Sequence, residues 1–386
     1  MKTEILYYDD IKLLEFDAEI IDMIEENNEV QVILNKTAFY PESGGMSCDV
    51  GYLDNCKVIK VIKKNDEIVH ILDSKPTNTM VHGKVDAYTR HTNIQIHDAQ
   101  HLLTGLFEKD YNLITTSHHV HGDYCDLVLE GQELTLDMMV EIERKANELI
   151  LDKRKLDIFM IPKSDLPKYG LKDNPKYTDP VRMTNIEGLD DYNACGCLHF
   201  DNISQIQAVK CLSIEKAGKQ NKILFTAGLR MLKLFGDYND IIKELKVLTK
   251  ASEDAITDKV QTLLDKNSNL IKELNETKSE LYNSILATLI NDNNIIIYTS
   301  PNDNFDDLKI MANSIINYDK HIKGLLQMKK GDKYQFVIVK QKDMDYALED
   351  LFAVLKKELN VHGGGKGLMI TGQSDVDLTS EIEKYI

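Results

Sequence analysis

The chain has 386 residues and a formal net charge of −17 at pH 7, with 42% hydrophobic and 28% charged residues. At about 150 residues per domain, this length indicates two to three domains and excludes a single small module. The acidic charge argues against indiscriminate binding to polyanions or anionic membranes, and six cysteines, no long apolar run and no signal-peptide segment lead us to expect a cytoplasmic protein without a membrane partner.

The first ninety residues predict a small β-barrel or sandwich. Alternating or β-branched runs separated by turn signals indicate strands at 29–34, 56–63, 67–72 and 80–85. Within this region, the sequence Phe-Tyr-Pro-Glu-Ser-Gly-Gly at 39–45 forms a rigid corner. Its two glycines, Gly44 and Gly45, allow the backbone to approach a ligand closely, and a plain turn is the alternative.

The middle of the chain alternates between helical and extended patterns. Apolar periodicity predicts helices at 91–111 and 137–151 and the beginning of a third at 230–248. Extended patterns follow at 112–130, around 158, and at 181–186, 203–212 and 222–226. The proline- and glycine-containing segment 164–180 indicates a loop or a broken helix.

The last 150 residues predict a helical linker and a separate domain. Between 256 and 289 apolar residues recur with a 4-3 spacing, without glycine or proline, which indicates a helical hairpin or coiled coil. Strands at 294–298, 335–340 and 367–372, with helices at 304–317 and 344–360, then predict a small α/β domain.

Two short motifs carry metal-ligating residue types. His97 and His101 are four residues apart and therefore share one helical face, and Cys195 and His199 repeat that spacing about a hundred residues later. Imidazole and thiolate are the ligands that tetrahedral Zn²⁺ prefers. The sequence therefore predicts one zinc ion per chain on these four residues, with Cys197 as the competing thiolate.

Together the motifs resemble the editing domain of alanyl-tRNA synthetases and the free-standing alanyl-tRNA editing proteins of the AlaX type. The family's H-x-x-x-H-L-L stands at 97–103, its C-x-x-x-H at 195–199, its glycine corner at 39–45, and its R/K-I-x-F-x-A-G-x-R element at 222–230. The remainder resembles the long AlaX form, which adds a helical linker and a glycine-rich C-terminal domain of the DHH-associated type. That glycine run stands at 363–367.

The resemblance implies a multidomain α+β fold and a trans-editing reaction. We expect a β-barrel at 1–90, a zinc-binding α+β editing domain at 91–235, a helical linker at 236–290 and the C-terminal α/β domain at 291–386. The implied activity is ATP-independent hydrolysis of the ester in alanine tRNA that carries serine or glycine, which serves translation fidelity. The resemblance leaves open whether zinc acts in catalysis or organises the pocket.

The implied site residues fall into three groups. Those assigned to catalysis and hydroxyl recognition are Gln100, Thr115 and Ser117. Those assigned to substrate binding are Gly44, Gly45 and His119. Those assigned to tRNA binding are Gly363, Gly364, Gly365 and Lys366. For the strand residues the alternative is an ordinary structural role, and for the glycine run it is a tight structural turn.

Two departures from the family pattern motivate a different class of function. Met46 and Leu198 replace residue types that are common in the family, so a catalytically silent RNA-binding or assembly protein is the alternative. A zinc hydrolase of small esters is a weaker reading, because it leaves the C-terminal domain without a purpose. A homodimer through the linker or the C-terminal domain is a further expectation.

Overall fold

The computed structural model describes residues 3–26, 29–175, 177–218, 220–290, 293–382 and 384–385. It is a mixed α+β protein with two compact units, residues 1–243 and 244–386. The predicted fold class is thus confirmed as a multidomain α+β chain with an N-terminal barrel, while the four predicted domain boundaries stay predictions. Among the residues described, no helix has both the length and the apolar character needed to cross a bilayer.

The N-terminal strands form a closed six-stranded barrel in the order β2-β3-β7-β6-β5-β8, flanked by the parallel pair β1 and β4. Their bounds are β1 Glu4–Ile5, β2 Glu15–Glu26, β3 Glu29–Leu34, β4 Lys36–Thr37, β5 Gly51–Leu53, β6 Cys56–Lys64, β7 Glu67–Leu72 and β8 Met80–Val85. The long strand β2 is not among the predicted strands. A bulge between Ile20 and Asp22 shifts its register and interrupts the alternation that would have marked it.

The rest of the first unit surrounds helix α1 with two sheets, β14-β15-β10-β9 and β11-β12-β13. The bounds are α1 Ala87–Tyr111, β9 Ile114–His121, β10 Tyr124–Glu130, α2 Leu136–Leu151, β11 Leu156–Ile161, β12 Val181–Ile186, β13 Asn193–Ala194, β14 Val209–Ala217, β15 Gln220–Ala227 and α3 Gly228–Thr249. The strand predicted at 203–212 is wrong in its first half. Residues 203–206 form a 3₁₀ turn, because the side chain of Asn202 caps the Ser204 amide at 2.8 Å.

Helix α1 is fixed at its start to the barrel. Asp86 caps its first turn by accepting a hydrogen bond from the Thr89 amide at 2.7 Å. One turn further, the buried guanidinium of Arg90 pairs with the buried carboxylate of Asp49 at 2.6 Å and also donates to the carbonyl of Ala38. Because a buried charge is stable only when it is paired, this contact sets where the helix meets the barrel corner.

The helical region contains two helices, α3 and the 34-residue helix α4 (Ile256–Leu289), separated by a short 3₁₀ turn at Glu253–Ala255. The C-terminal end of α4 is buried through Tyr282 and Leu286. Between Val260 and Leu281, the predicted apolar stripe is solvent-exposed; Leu270, for example, is 62% exposed. A long helix with an uncovered 4-3 stripe is typical of a coiled-coil strand.

The C-terminal sheet has the order β16-β17-β18-β20-β19, in which only β16 and β17 are parallel. The bounds are β16 Ile295–Ser300, α5 Phe305–Ile316, β17 Lys323–Lys330, β18 Lys333–Lys340, α6 Leu348–Glu358, β19 His362–Lys366, β20 Met369–Ser374 and α7 Thr379–Ile382. The glycine run does not form the loop or tight turn expected for it. It forms the fully exposed edge strand β19. A Cβ at Gly363 would lie 2.2 Å from the carbonyl oxygen of Thr371, so glycine is what lets this strand pair closely with β20.

Candidate metal centre

The structure brings together the two predicted halves of the metal site. The ligand atoms of His97, His101, Cys195 and His199 all lie within 4.8 Å of one another. The two histidines of α1 point from successive turns, and the Cys195–His199 segment follows β13 on the facing side. His97 Nε2 lies 3.3 Å from the Cys195 sulfur. This donor set of three imidazoles and one thiolate fits a tetrahedral zinc ion.

The protonation chemistry of the cluster also fits a metal. The Nε2 atoms of His101 and His199 are buried and have no hydrogen-bond partner among the described residues. Burial lowers the pKa of His97 and of His199 to about 3, and it lowers that of His101 well below its usual range. The imidazoles are therefore neutral, which is the form that binds a metal, and the unpartnered nitrogens lie where a cation would satisfy them.

Asp98 does not belong to the ligand set, but it supports the cluster through hydrogen bonds to the segment that carries His199. Its buried carboxylate accepts a hydrogen bond from His199 Nδ1 at 2.6 Å and another from the Phe200 amide at 3.0 Å. The first bond holds the proton on Nδ1, so that Nε2 presents its lone pair to the centre of the cluster. Asp98 was not predicted as a site residue, although its position between two candidate ligands on a helix was a usable signal.

The cysteine loop is held by Arg182 on β12. The guanidinium Nη1 donates to the carbonyl oxygens of Cys195 at 2.9 Å and Cys197 at 2.7 Å, and the guanidinium lies 5.2 Å from the centre of the Tyr8 ring. The neighbouring Cys195 thiol lowers the pKa of Cys197, whereas the Cys197 thiol and burial raise the pKa of Cys195. The group of ligand atoms that meets the metal-site spacing nevertheless contains Cys195, as predicted, and not Cys197.

The predicted glycine corner lies against the cluster. Gly44 and Gly45 occupy the turn between Ser43 and Met46 with φ of 57° and 80°, in the left-handed region that favours glycine. A Cβ on Gly44 would lie 2.7 Å from the Cys197 sulfur, and one on Gly45 would lie 2.0 Å from His118 Nε2. The backbone of this turn therefore approaches the site as closely as a glycine allows.

Strand β9 brings only some of the predicted residues to the site. Cross-strand partners share a sheet face, and Thr115 and His118 pair with the core residues Leu129 and Leu127 of β10. The ring of His118 lies 6.4 Å from that of His97, and its buried Nε2 has no partner within the described residues.

Ser117 and His119 face the other way because their partners on β10 are Val128 and Asp126. His119 has a 62% exposed side chain, and its Nδ1 lies 3.1 Å from the Asp126 carboxylate. A bulge between Val128 and Leu129 leaves Thr116 without a partner in the ladder. His118, not His119, is therefore the strand histidine beside the cluster, and Ser117 is not brought to it.

A row of polar side chains continues from the cluster along α1. Gln100 Nε2 donates to the Thr104 hydroxyl at 3.0 Å, and that hydroxyl lies 3.0 Å from the hydroxyl of Thr115. Gln100 and Thr104 are buried, and Gln100 Oε1 has no partner in the described part of the chain. Thr104 is a member that the sequence analysis missed. Its spacing of three residues from His101 on a buried helix was the available signal.

Two surface pockets reach the metal ligands from outside. One of about 440 Å³ lies between Tyr8, Arg182 and Cys195, and another of about 640 Å³ reaches His199 beside Lys12 and Lys155. A larger pocket of about 880 Å³ lies between α4 and α5, but none of the predicted site residues lines it. We place the candidate site at the four-ligand cluster, because its side chains are suited to a metal and two surface pockets reach them.

These features define a class of protein: a barrel-and-helix α+β chain with a buried His₃Cys metal-type centre under a glycine turn. The predicted resemblance is confirmed, because the chain is similar to curated alanyl-tRNA editing proteins over most of its length. AlaX-L of Pyrococcus horikoshii is 27% identical over 396 aligned residues, which cover 96% of this chain and 94% of that protein.

Other relatives match shorter stretches. Aarsd1 of Bos taurus is 31% identical over 259 residues, or 63% of this chain and 57% of that protein. The alanine–tRNA ligase of Ignicoccus hospitalis is 27% identical over 74% of this chain and 32% of its own length. The family described as tRNA synthetases class II (A) matches residues 1–89. The C-Ala domain of Aquifex aeolicus alanyl-tRNA synthetase aligns to 23% of the chain, with 20% identity and a TM-score of 0.21.

We predict that Asp98→Asn weakens metal binding roughly 10–100-fold, because the amide accepts the His199 Nδ1 proton less strongly than the carboxylate does. Zinc affinity measured by competition with a chromogenic chelator checks this. The matched control is Asp191→Asn, since Asp191 is a half-buried carboxylate that bonds to Asn193 and not to a ligand. Equal affinities for the Asp98 variant and the wild type would contradict the support role.

Proposed function

We propose that this chain binds one zinc ion through His97, His101, Cys195 and His199 and hydrolyses, in trans, the ester that joins serine or glycine to alanine tRNA. The observation that carries the proposal is the convergence of these ligands, two of them with unpartnered buried nitrogens, beneath the Gly44–Gly45 turn. The similarity to proteins named as alanyl-tRNA editing proteins supports the same conclusion. When bound, zinc supplies Lewis acidity towards the ester carbonyl or an attacking water, or it organises the pocket.

The protein's own groups bind and orient the ester. The Gly44–Gly45 backbone packs so closely against the Cys197 sulfur and His118 Nε2 that neither residue could carry a Cβ, and this turn bounds the ester on the barrel side of the cluster. His118 Nε2 is available to hold a hydroxyl or a water there. Since an aminoacyl ester is already activated, positioning and exclusion of larger side chains are enough for useful rates.

Selection of serine over alanine requires a site that bonds to one hydroxyl. An alanine methyl group fills the position of the hydroxyl without pairing the polar groups there, which is costly, whereas glycine leaves room for a water that pairs them. Gln100 and Thr115 are the residues that we propose for this role. Met46 and Leu198, the departures that motivate the silent alternative, are both buried in the core on the barrel side. They change packing there and leave the four ligands in place.

The second unit offers the surface that we propose for tRNA. Lys329 and Lys330 at the end of β17 are exposed, as is the whole of β19 with Gly363, Gly364, Gly365 and Lys366. Bare strand backbone and lysine side chains contact phosphates without reading sequence. The Gly367 amide is not part of this surface, since it donates to the Glu349 carboxylate at 2.8 Å.

The proposed activity predicts that the zinc-loaded chain releases serine, and more slowly or equally glycine, from alanine tRNA while leaving Ala-tRNA intact. Chelation should abolish this release, and zinc should restore it. Single-turnover assays with ³H-labelled Ser-tRNA, Gly-tRNA and Ala-tRNA check these outcomes. Zinc binding without hydrolysis of any of the three would favour the silent RNA-binding alternative.

The proposed tRNA surface predicts that the triple variant Lys329→Gln, Lys330→Gln, Lys366→Gln raises KM for mischarged tRNA about tenfold, because each lysine neutralises a phosphate. The slope of log affinity against log salt should fall by roughly one unit per lost contact. Hydrolysis of seryl-adenosine, which lacks these phosphates, should be unchanged. The matched control replaces Lys57, Lys63 and Lys64 of the barrel; an equal effect there would mean only bulk charge matters.

We also propose that α4 pairs with its counterpart in a second copy, because its apolar stripe needs cover and Asn267 in the seam would fix the register. A homodimer of about twice 44.0 kDa is expected by light scattering at micromolar concentration. Replacing Leu263, Leu270 and Leu274 with glutamine should give monomers, whereas glutamine at Lys259, Lys266 and Lys272 should not. A wild-type monomer would contradict the pairing.

A further inference from the structure

We infer that Thr104 sets the hydrogen-bond polarity of the candidate site, so that the site presents one free acceptor and one free donor to a hydroxyl-bearing substrate. The inference rests on the proposed function, which it deepens by assigning the basis of serine selection. It comes from the row Gln100–Thr104–Thr115, in which Thr104 makes both links.

The direction of the row follows from which atoms donate. An amide nitrogen has only protons to offer, so the Gln100 Nε2 contact makes Thr104 Oγ1 an acceptor. The hydroxyl proton of Thr104 is then free for its second described contact, the Thr115 oxygen at 3.0 Å. The Thr115 oxygen thus accepts the proton of Thr104, and the hydroxyl proton of Thr115 itself remains free to be donated.

The two ends of the row are complementary to a hydroxyl group. At one end the buried Gln100 Oε1 accepts, and it has no partner among the described residues. At the other end the Thr115 hydroxyl donates. A serine hydroxyl that donates to Gln100 and accepts from Thr115 satisfies both, whereas an alanine methyl group satisfies neither.

The row shares its face of α1 with two of the metal ligands. Thr104 follows His97 and His101 at positions i+7 and i+3, so all three lie on one face of α1. Thr115 shares its face of β9 with His118, which contacts the Gly45 turn and lies near His97. The acceptor and donor therefore line the same side of the site as the metal ligands.

Thr104 acts here as a positioning residue, since the free groups belong to its two neighbours. Without its hydroxyl, Gln100 loses the bond that keeps Oε1 turned away from Thr104, and Thr115 loses the donor that directs its proton outwards. Thr104→Val keeps the shape and removes both links, and Thr104→Ser keeps the hydroxyl. Thr92→Val is the matched control, because Thr92 is a buried threonine of the same helix outside the row.

The experiment measures kcat/KM for Ser-tRNA and Gly-tRNA, zinc content, and the Kd of non-hydrolysable 3′-amide analogues of seryl- and alanyl-adenosine. We expect Thr104→Val to lower the seryl values by about 10-fold or more, with the glycyl rate, the alanyl Kd and the zinc content changed less than about twofold. Thr104→Ser and Thr92→Val should retain the wild-type seryl preference.

The outcomes separate the two proposals. If the wild type hydrolyses both esters and Thr104→Val lowers both equally, Thr104 is merely structural and the inference fails alone. If the wild type hydrolyses neither ester, the proposed function fails; the inference then stands only if the seryl analogue binds more tightly than the alanyl analogue and Thr104→Val removes that difference. Equal Kd values for the two analogues with the wild type overturn the inference.

Discussion

Helix α1 is buried along most of its length, and this burial is the constraint on which the first unit depends. A buried polar group must find a partner, and α1 carries Arg90, Asn93, Gln95 and Asp98 inside the protein. Arg90 pairs with Asp49 of the barrel, and Gln95 accepts a hydrogen bond from the Leu229 amide at the start of α3. Asp98 accepts one from the Phe200 amide, which follows the cysteine loop. Each bond positions a different element against one helix. The same helix carries two of the four ligands, so the geometry of the cluster depends on these bonds together with the loop that carries Cys195 and His199.

The chemistry of the cluster follows from its dryness. In water protons would compete with any cation for the three imidazoles, but burial keeps the imidazoles neutral. Asp98 stabilises His199 in one tautomer, and Arg182 fixes the carbonyls of the loop that carries Cys195. The first unit thus holds a preorganised site, while the second unit contributes an open edge strand and a long exposed helix. Of these features, only the preorganised site can do chemistry by itself. The edge strand and the exposed helix are suited to holding large partners.

Sequence alone was enough for the features that depend on short-range pattern. The strands β3, β7 and β8 and the ligand pairs of α1 and the cysteine loop were predicted, because alternation and four-residue spacing are visible in a single segment. The strand β2, the 3₁₀ turn at 203–206 and the edge strand β19 were not. The bulge in β2 and the pairing of β19 with β20 depend on facing segments, and the 3₁₀ turn depends on a local side-chain cap that replaces the strand conformation. For Asp98 and Thr104 the sequence offered only their position on α1, since each role is defined by a partner distant in the chain or across a turn.

The bulge at Thr116 determines which histidine of β9 faces the site. One extra residue in β9 sets the parity of everything after it, so that His118 faces the histidine cluster and His119 faces outwards. If β9 alternated regularly through Thr116, Thr115 would instead share its face with His119, although both candidates are imidazoles. The bulge, and not the residue type, therefore decides which histidine lies beside the cluster, and comparison of sequences by residue type alone would overlook it. Which histidine faces the cluster is thus set by the number of residues in β9.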